Sequence, residues 1–186
     1  MDVGSGKTTK KFTTRFILEK GTNSGAAVMI FTPLGNTSVS DILNRSIHVV
    51  LTSKYVRLQM CDNGEVYSFP VHNFGTPLAM DGSTVHEMSI EVVGNDIKMT
   101  VNGTTYTETW TTGTWTGHAL PVTDFFGRYS IFEFYCDGNR NVMSMPEFTY
   151  VKLEDNLGFI REDNFNRPDG ILTIMPDGTP YNLFAN

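Results

Sequence analysis

The chain has 186 residues, a formal net charge of −6, 40% hydrophobic and 12% aromatic residues, and only 18% charged residues. That length suits one domain, or one domain with an extension, and the aromatic content excludes a disordered chain. Thr is the commonest residue with 23 copies and Ala has only 5, a bias towards pleated strands that excludes a helical bundle, a coiled coil and most doubly wound α/β enzymes.

Residues 1–10 are small, polar and Gly-rich and read as a flexible N-terminal arm. Within them Gly4-Ser5-Gly6-Lys7-Thr8-Thr9 looks like the end of a phosphate-binding loop, but Met1 stands where the first Gly is needed, and neither the preceding strand nor the following helix is available. Lys11 to Lys20 reads as a strand with Phe12, Phe16 and Leu18 on one face. Ala26 to Thr32 is a second strand, stopped by Pro33 and Gly35, and 34–46 is turn-rich with one helical turn near 40–43. Ile47 to Met60 holds one long strand or a pair, and Val56, Leu58 and Met60 alternate with Arg57 and Gln59, so one face is wet. Asn63-Gly64 signals a hairpin whose second arm returns over 65–71.

The clearest pattern runs from Val85 to Thr109. Met88, Ile90 and Val92 alternate with polar residues, Gly94-Asn95-Asp96 turns the chain, Ile97, Met99 and Val101 alternate again, and Asn102-Gly103 starts a third strand. This is a three-stranded antiparallel meander. Arg128–Cys136 and Phe148–Leu153 supply two further strands.

The acidic balance lacks the basic footprint of a nucleic-acid binder, and Lys7, Lys10, Lys11 and Arg15 read as a solvated first strand, so no nucleic-acid partner is expected. No stretch approaches the roughly 18 apolar residues of a membrane helix, so no membrane insertion is expected. The first six residues lack the basic flank and apolar core of a signal peptide, which implies use without Sec export or a domain cut from a longer chain. Cys61 and Cys136 each precede an Asp-containing turn, a position compatible with one bridge or with two buried thiols.

The run from His86 to Gly103, with its Gly94-Asn95 turn and its Val101-Asn102-Gly103 turn, resembles the central meander of concanavalin A-like, laminin G-like jelly rolls. The resemblance implies an all-β antiparallel β-sandwich over 11–153, with Phe148–Leu153 beside Phe12–Leu18, and leaves 154–186 as a C-terminal extension. Laminarinase-like hydrolases of this fold carry Glu-x-Asp-x-Glu, which puts a carboxylate pair on one strand face. That motif does not occur here: Glu133 stands alone, and Glu91 and Asp96 flank a turn. Catalysis is therefore not expected, and a glycoside hydrolase or lyase ranks third among the readings. Laminin G-like modules also carry a rim calcium, for which Asp62-Asn63-Gly64, Asp81-Gly82 and Asp137-Gly138-Asn139 would be the oxygen donors. The same triplets are ordinary turns, and His48, His72, His86 and His118 lack metal-ligand spacing, so no metal site and no cofactor are expected.

Trp110 and Trp115, with Tyr106 and Asn102 nearby, form the candidate glycan surface, because aromatic rings stack on sugar faces and amides orient hydroxyls. The plainer alternative has one Trp in the core and the other over an edge. In the extension, Ile171, Leu172, Ile174, Met175, Leu183 and Phe184 are too apolar for a free tail; they pack on their own domain or, as an assembly arm, on a neighbour's sheet edge. A sandwich without catalytic carboxylates, no export signal and an apolar extension point to a structural or adhesion component of a virus particle: a phage capsid decoration, head-fibre or tail-associated protein that self-associates or joins other virion proteins and binds a host-surface glycan. The alternative is a lectin-like module of a larger extracellular protein. The assembly reading predicts that deleting 156–186 lowers the solution mass measured by light scattering while circular dichroism stays folded; an unfolded product would sink it.

Overall fold

A computed structural model of the chain describes residues 8–18, 26–32, 44–125, 129–135, 147–158 and 160–165. Its strands are β1 (Thr9–Ile17), β2 (Ala26–Thr32), β3 (Arg45–Leu51), β4 (Tyr55–Asp62), β5 (Glu65–Ser68), β6 (His72–Asn73), β7 (Val85–Val93), β8 (Asp96–Val101), β9 (Thr104–Thr109), β10 (Tyr129–Tyr135), β11 (Glu147–Asp155) and β12 (Ile160–Asp163). A single 3₁₀ turn, Val122–Asp124, is the only helical element longer than one residue among the described residues.

The strands form two antiparallel sheets. The first runs β12-β11-β1-β7-β8-β9; the second runs β10-β2-β3-β4-β5, with the short β6 also on β4. β1 pairs with β7 on one side (Phe12↔Ile90) and β11 on the other (Phe12↔Leu153), as the resemblance implied for the first and last strands.

The alternation read from the sequence is the alternation of burial. Phe12, Phe16 and Leu18, then Met88, Ile90 and Val92, then Ile97, Met99 and Val101 face inward from the first sheet. Phe31, Ile47, Val49, Leu51, Val56, Leu58 and Met60 face them from the second. Each such side chain contributes roughly 1.5–3 kcal/mol when fully buried. The Asn-Gly turns have the backbone that a two-residue hairpin requires: φ is 52° and 82° at Asn63 and Gly64, and 46° and 82° at Asn102 and Gly103.

Several boundaries differ from expectation. Thr9 and Lys10 belong to β1 rather than to an arm, and Thr8 exchanges hydrogen bonds with Asn156: its N–H donates to Asn156 Oδ1, and its carbonyl accepts from Asn156 N–H, both at 3.0 Å. A strand therefore follows Lys7 where a phosphate-binding loop needs a helix. Ile47–Met60 is a pair of strands, turned at Thr52, whose Oγ1 accepts from the N–H groups of Lys54 and Tyr55 at 3.1 Å. The sandwich does not stop at Leu153: β11 runs to Asp155, and β12 adds an edge strand in register Val151↔Asp163 to Glu154↔Ile160. A deletion from 156 would remove that strand, so a cut after 165 is the cleaner test of the arm. Ile171, Leu172, Ile174, Met175, Leu183 and Phe184, Cys136, and the helical turn expected near 40–43 lie outside the described residues.

Trp110 corrects the expectation of a surface ring. It is 0% exposed, sits edge-on to Phe125 at 5.2 Å, and donates its indole N–H to the Leu120 carbonyl at 2.9 Å. It follows β9 directly and packs in the core among Tyr67, Phe69, Trp115 and Phe125. Trp110→Ala should cost about 3–5 kcal/mol in a denaturant titration. A loss within about 0.5 kcal/mol would contradict this packing.

Candidate functional site

Of the four residues expected to form a ligand surface, the structure brings Trp110 and Trp115 together edge-on at 6.5 Å, and Trp110 offers no exposed ring. Trp110 is core. Asn102 is exposed, yet both polar atoms of its side chain are engaged: Oδ1 accepts from the Glu87 N–H at 2.9 Å, and Nδ2 donates to His86 Nδ1 at 3.0 Å. His86 in turn donates from Nε2 to the Ala79 carbonyl at 2.8 Å, so Asn102 is a lock on the β8–β9 turn. Tyr106 is half-buried against the core, with His72 at 5.0 Å and Phe74 at 6.2 Å, and His72 Nε2 meets Glu108 Oε1 at 2.7 Å. Trp115 is half-buried, and one face is covered by the His118 ring, stacked at 3.6 Å and 18°.

His118 closes a clasp that the sequence did not announce. The loop after β9 folds back over the β4–β5 hairpin, where His118 Nδ1 meets Asp62 Oδ2 at 2.8 Å and Nε2 meets Glu65 Oε2 at 3.1 Å. Only an imidazolium donates from both nitrogens, so the clasp is complete with the ring protonated. The Asp62 hydrogen bond raises the His118 pKa most, partial burial opposes it, and Glu65 adds to it. Arg45 Nη2 stands 3.6 Å from the other oxygen of Asp62.

The turns proposed as calcium donors are otherwise occupied. Asp62 serves the clasp, and Asp81 accepts from the N–H groups of Ser83 and Thr84 and from both hydroxyls, which holds its carboxyl far below the usual range. Asp137-Gly138-Asn139 lies outside the described residues. On β3 and β4, His48 Nε2 lies 2.7 Å from Ser46 Oγ and 3.7 Å from Cys61 Sγ. Burial lowers the His48 pKa to about 4 and pushes the Cys61 thiol up to about 11, so the pair is neutral and the thiol free but unactivated.

The outer faces of the two sheets differ. On the first, charge is met by charge: Arg15 Nε binds Glu87 Oε2 at 2.8 Å and lies 4.6 Å over the Tyr150 ring, Tyr150 donates to Glu162 at 2.9 Å, and Lys152 stands 3.4 Å from Glu154. On the second, Val56, Leu58 and Met60 point inward, so Tyr55, Arg57 and Gln59 form a half-exposed row on the outer face of β4. Same-face residues along a strand are about 6.6–6.8 Å apart. Gln59 Nε2 donates to Ser68 Oγ at 2.9 Å, which fixes the carboxamide and leaves Oε1 to accept. Beside it Val66 is 46% exposed, while across the sheet His48 is 8% exposed. The row is thus open at β4 and β5 and closed at β3. Its sequence signal was the wet alternation around Arg57; nothing in that signal marked it as the unpaired face.

No family model matches the chain, and no curated protein matches its sequence. Solved structures do match. The carbohydrate binding module CBM66 from Bacillus subtilis aligns with a TM-score of 0.50 at 12% identity, over 78% of this chain and 74% of that one. The mixed linkage glucan GH16 of Bacteroides ovatus, in complex with a product, aligns with a TM-score of 0.53 at 13% identity, over 81% of this chain and 71% of that one. This chain has the concanavalin A-like jelly-roll fold. A tetrameric galectin from the ball sponge Cinachyrella sp. also aligns, at 12% identity and a TM-score of 0.47, over 78% of this chain and 91% of that one.

The clasp generates a pH prediction. A raised folded-state pKa stabilises fully below the unfolded value of about 6.5 and is lost as pH rises through the folded value. The melting-temperature gap between the natural chain and His118→Gln should therefore be widest near about pH 5.5 and narrow by about pH 9. A gap that is constant or grows with pH would contradict the clasp.

Proposed function

We propose that the chain is a non-catalytic glycan-binding module that takes its ligand on the outer face of the second sheet, over Tyr55, Arg57, Gln59 and Ser68. The observation that carries this is the half-exposed row on β4, where an aromatic ring, a guanidinium and a fixed carboxamide lie side by side. A pyranose has an apolar face and a rim of hydroxyls. A Tyr ring covers the first, and fixed polar groups orient the second. The fold supports the reading, since it is shared with a carbohydrate binding module and with a glucan protein that holds a product.

The same face argues for binding over hydrolysis. Glycoside cleavage needs two carboxylates flanking the bond. The described side chains of that face are Ser46, His48 and Val50 from β3, Tyr55, Arg57, Gln59 and Cys61 from β4, Val66 and Ser68 from β5, and Asn73 from β6, with no acid among them. The backbone register aligns Glu133, whose side chain lies outside the described ones, with Val28, Val50 and Arg57.

With this reading goes a place outside the cell, where glycans are met. The particle-component reading draws nothing from the matched structures, and its assembly residues lie outside the described ones; a defined multimer in solution would favour it.

Tyr55→Ala and Gln59→Ala test the proposal. Each should weaken binding of a glycan found by array screening about tenfold, equivalent to about 1.4 kcal/mol, in calorimetry with an unchanged melting temperature. Full affinity in both variants, or no retention of any glycan, would overturn the site. Release of shortened oligosaccharide would make the chain an enzyme instead.

A further inference from the structure

We propose that the ligand of this face is an acidic saccharide, and that Arg57 is the residue that holds its anionic group; the inference rests on the glycan-binding reading above. Arg57 differs from the other arginines whose contacts have been described. Arg15 is set against Glu87 and Arg45 against Asp62, whereas Arg57 has no ion pair and no hydrogen bond among the described residues. Its Nε is enclosed and has no partner among them. Its neighbours along the row are Tyr55 and Gln59, and its cross-strand partner is Val50, none of which carries a negative charge.

A shut-in N–H that binds nothing is a cost to the fold. Only Nε is among the enclosed atoms, which leaves the two terminal nitrogens of the guanidinium to meet a ligand. Those nitrogens present parallel N–H groups at the spacing of two oxygens on one carboxylate or sulfate. A hydroxyl would engage one of them; an anionic group engages both and adds the charge. Gln59 and Tyr55 flank Arg57 at one same-face step each, so the ring that bears the anion would lie against Tyr55 or reach the Gln59 carbonyl. The net charge of −6 gives no general attraction for polyanions, so affinity for an acidic glycan must come from a local fork.

The test compares a matched acid and neutral ester, and a second acidic saccharide that bears sulfate, with the full chain. Oligogalacturonate, its methyl ester and a sulfated galactan oligosaccharide are titrated calorimetrically into the natural chain, Arg57→Gln and Arg57→Lys, with melting temperature as the fold control. The expected result is that one acidic ligand binds at least about tenfold tighter than the neutral ester. Arg57→Gln should bring the two to equality, and Arg57→Lys, which keeps the charge but not the fork, should recover only part of the difference. Preference for the uronate identifies a carboxylate, and preference for the galactan a sulfate; both support the anion fork. Equal binding of acid and ester, unchanged in Arg57→Gln, would overturn the acidic-ligand inference and leave glycan binding standing. Retention of none of the three ligands, with no neutral glycan held on an array, would overturn both.

Discussion

β1 is held between β7 and β11, and the rest of the sandwich depends on that position. Its inward residues Phe12 and Phe16 meet Ile90 and His86 on one side and Leu153 and Phe148 on the other. A hydrogen bond from the same strand, donated by Thr14 Oγ1 to the Tyr150 carbonyl, spans 136 residues of chain. Closing so long a loop costs little more entropy than closing one half its length, because the cost grows only logarithmically. It still has to be met before the contacts return anything, so the sandwich depends on local hairpins forming first. The Asn-Gly turns and the Val85–Val101 alternation supply such hairpins, and β1 then joins their product to β11.

The open end of the sandwich is closed by side chains rather than by strands. Trp110 fills the core where β9 ends, and Tyr67 lies 6.1 Å from it and 5.8 Å from Trp115. His118, 13% exposed at its side chain, then ties the loop to Asp62 and Glu65. The aromatic ladder supplies apolar burial, and the ion pairs supply direction. A carboxylate as buried as Asp62 is tolerated because a cation faces each of its oxygens.

The two outer faces solve the problem of charge in opposite ways. On the first sheet, acids and bases alternate and neutralise one another, which makes a solvated surface with few unmet groups. On the second, the row on β4 is half-enclosed, has no acid among its described side chains, and contains an arginine with no partner among the described residues. Exposed pairs of the first kind contribute little to stability. An unpaired, partly enclosed guanidinium is costly to stability and useful in recognition, which is why the ligand reading rests on that face.

The sequence by itself determined the strand pattern, the inward residues and the hairpin turns. Those depend on two-residue alternation and on the positive φ that Asn-Gly tolerates, both of which are local. It also offered two readings of the tryptophans, a glycan surface or one ring in the core and one over an edge; Trp110 is in the core and Trp115 is half-buried against it. Only the tertiary structure decided which polar residues are spent and which are left over. Asn102 and Arg57 look alike in sequence, each a polar residue next to inward-facing ones. Asn102 is held by His86 and Glu87, which pairing of β7 with β8 brings to it, while Arg57 meets no partner among the described residues. The extent of the sheet was decided in the same way: β12 is short, polar and unremarkable as a string, and it becomes a strand because β11 offers it an open edge. Whether a hydrogen-bonding group is satisfied depends on its neighbours in space, and those are set by pairings across 15 to 136 residues of chain that no local pattern records.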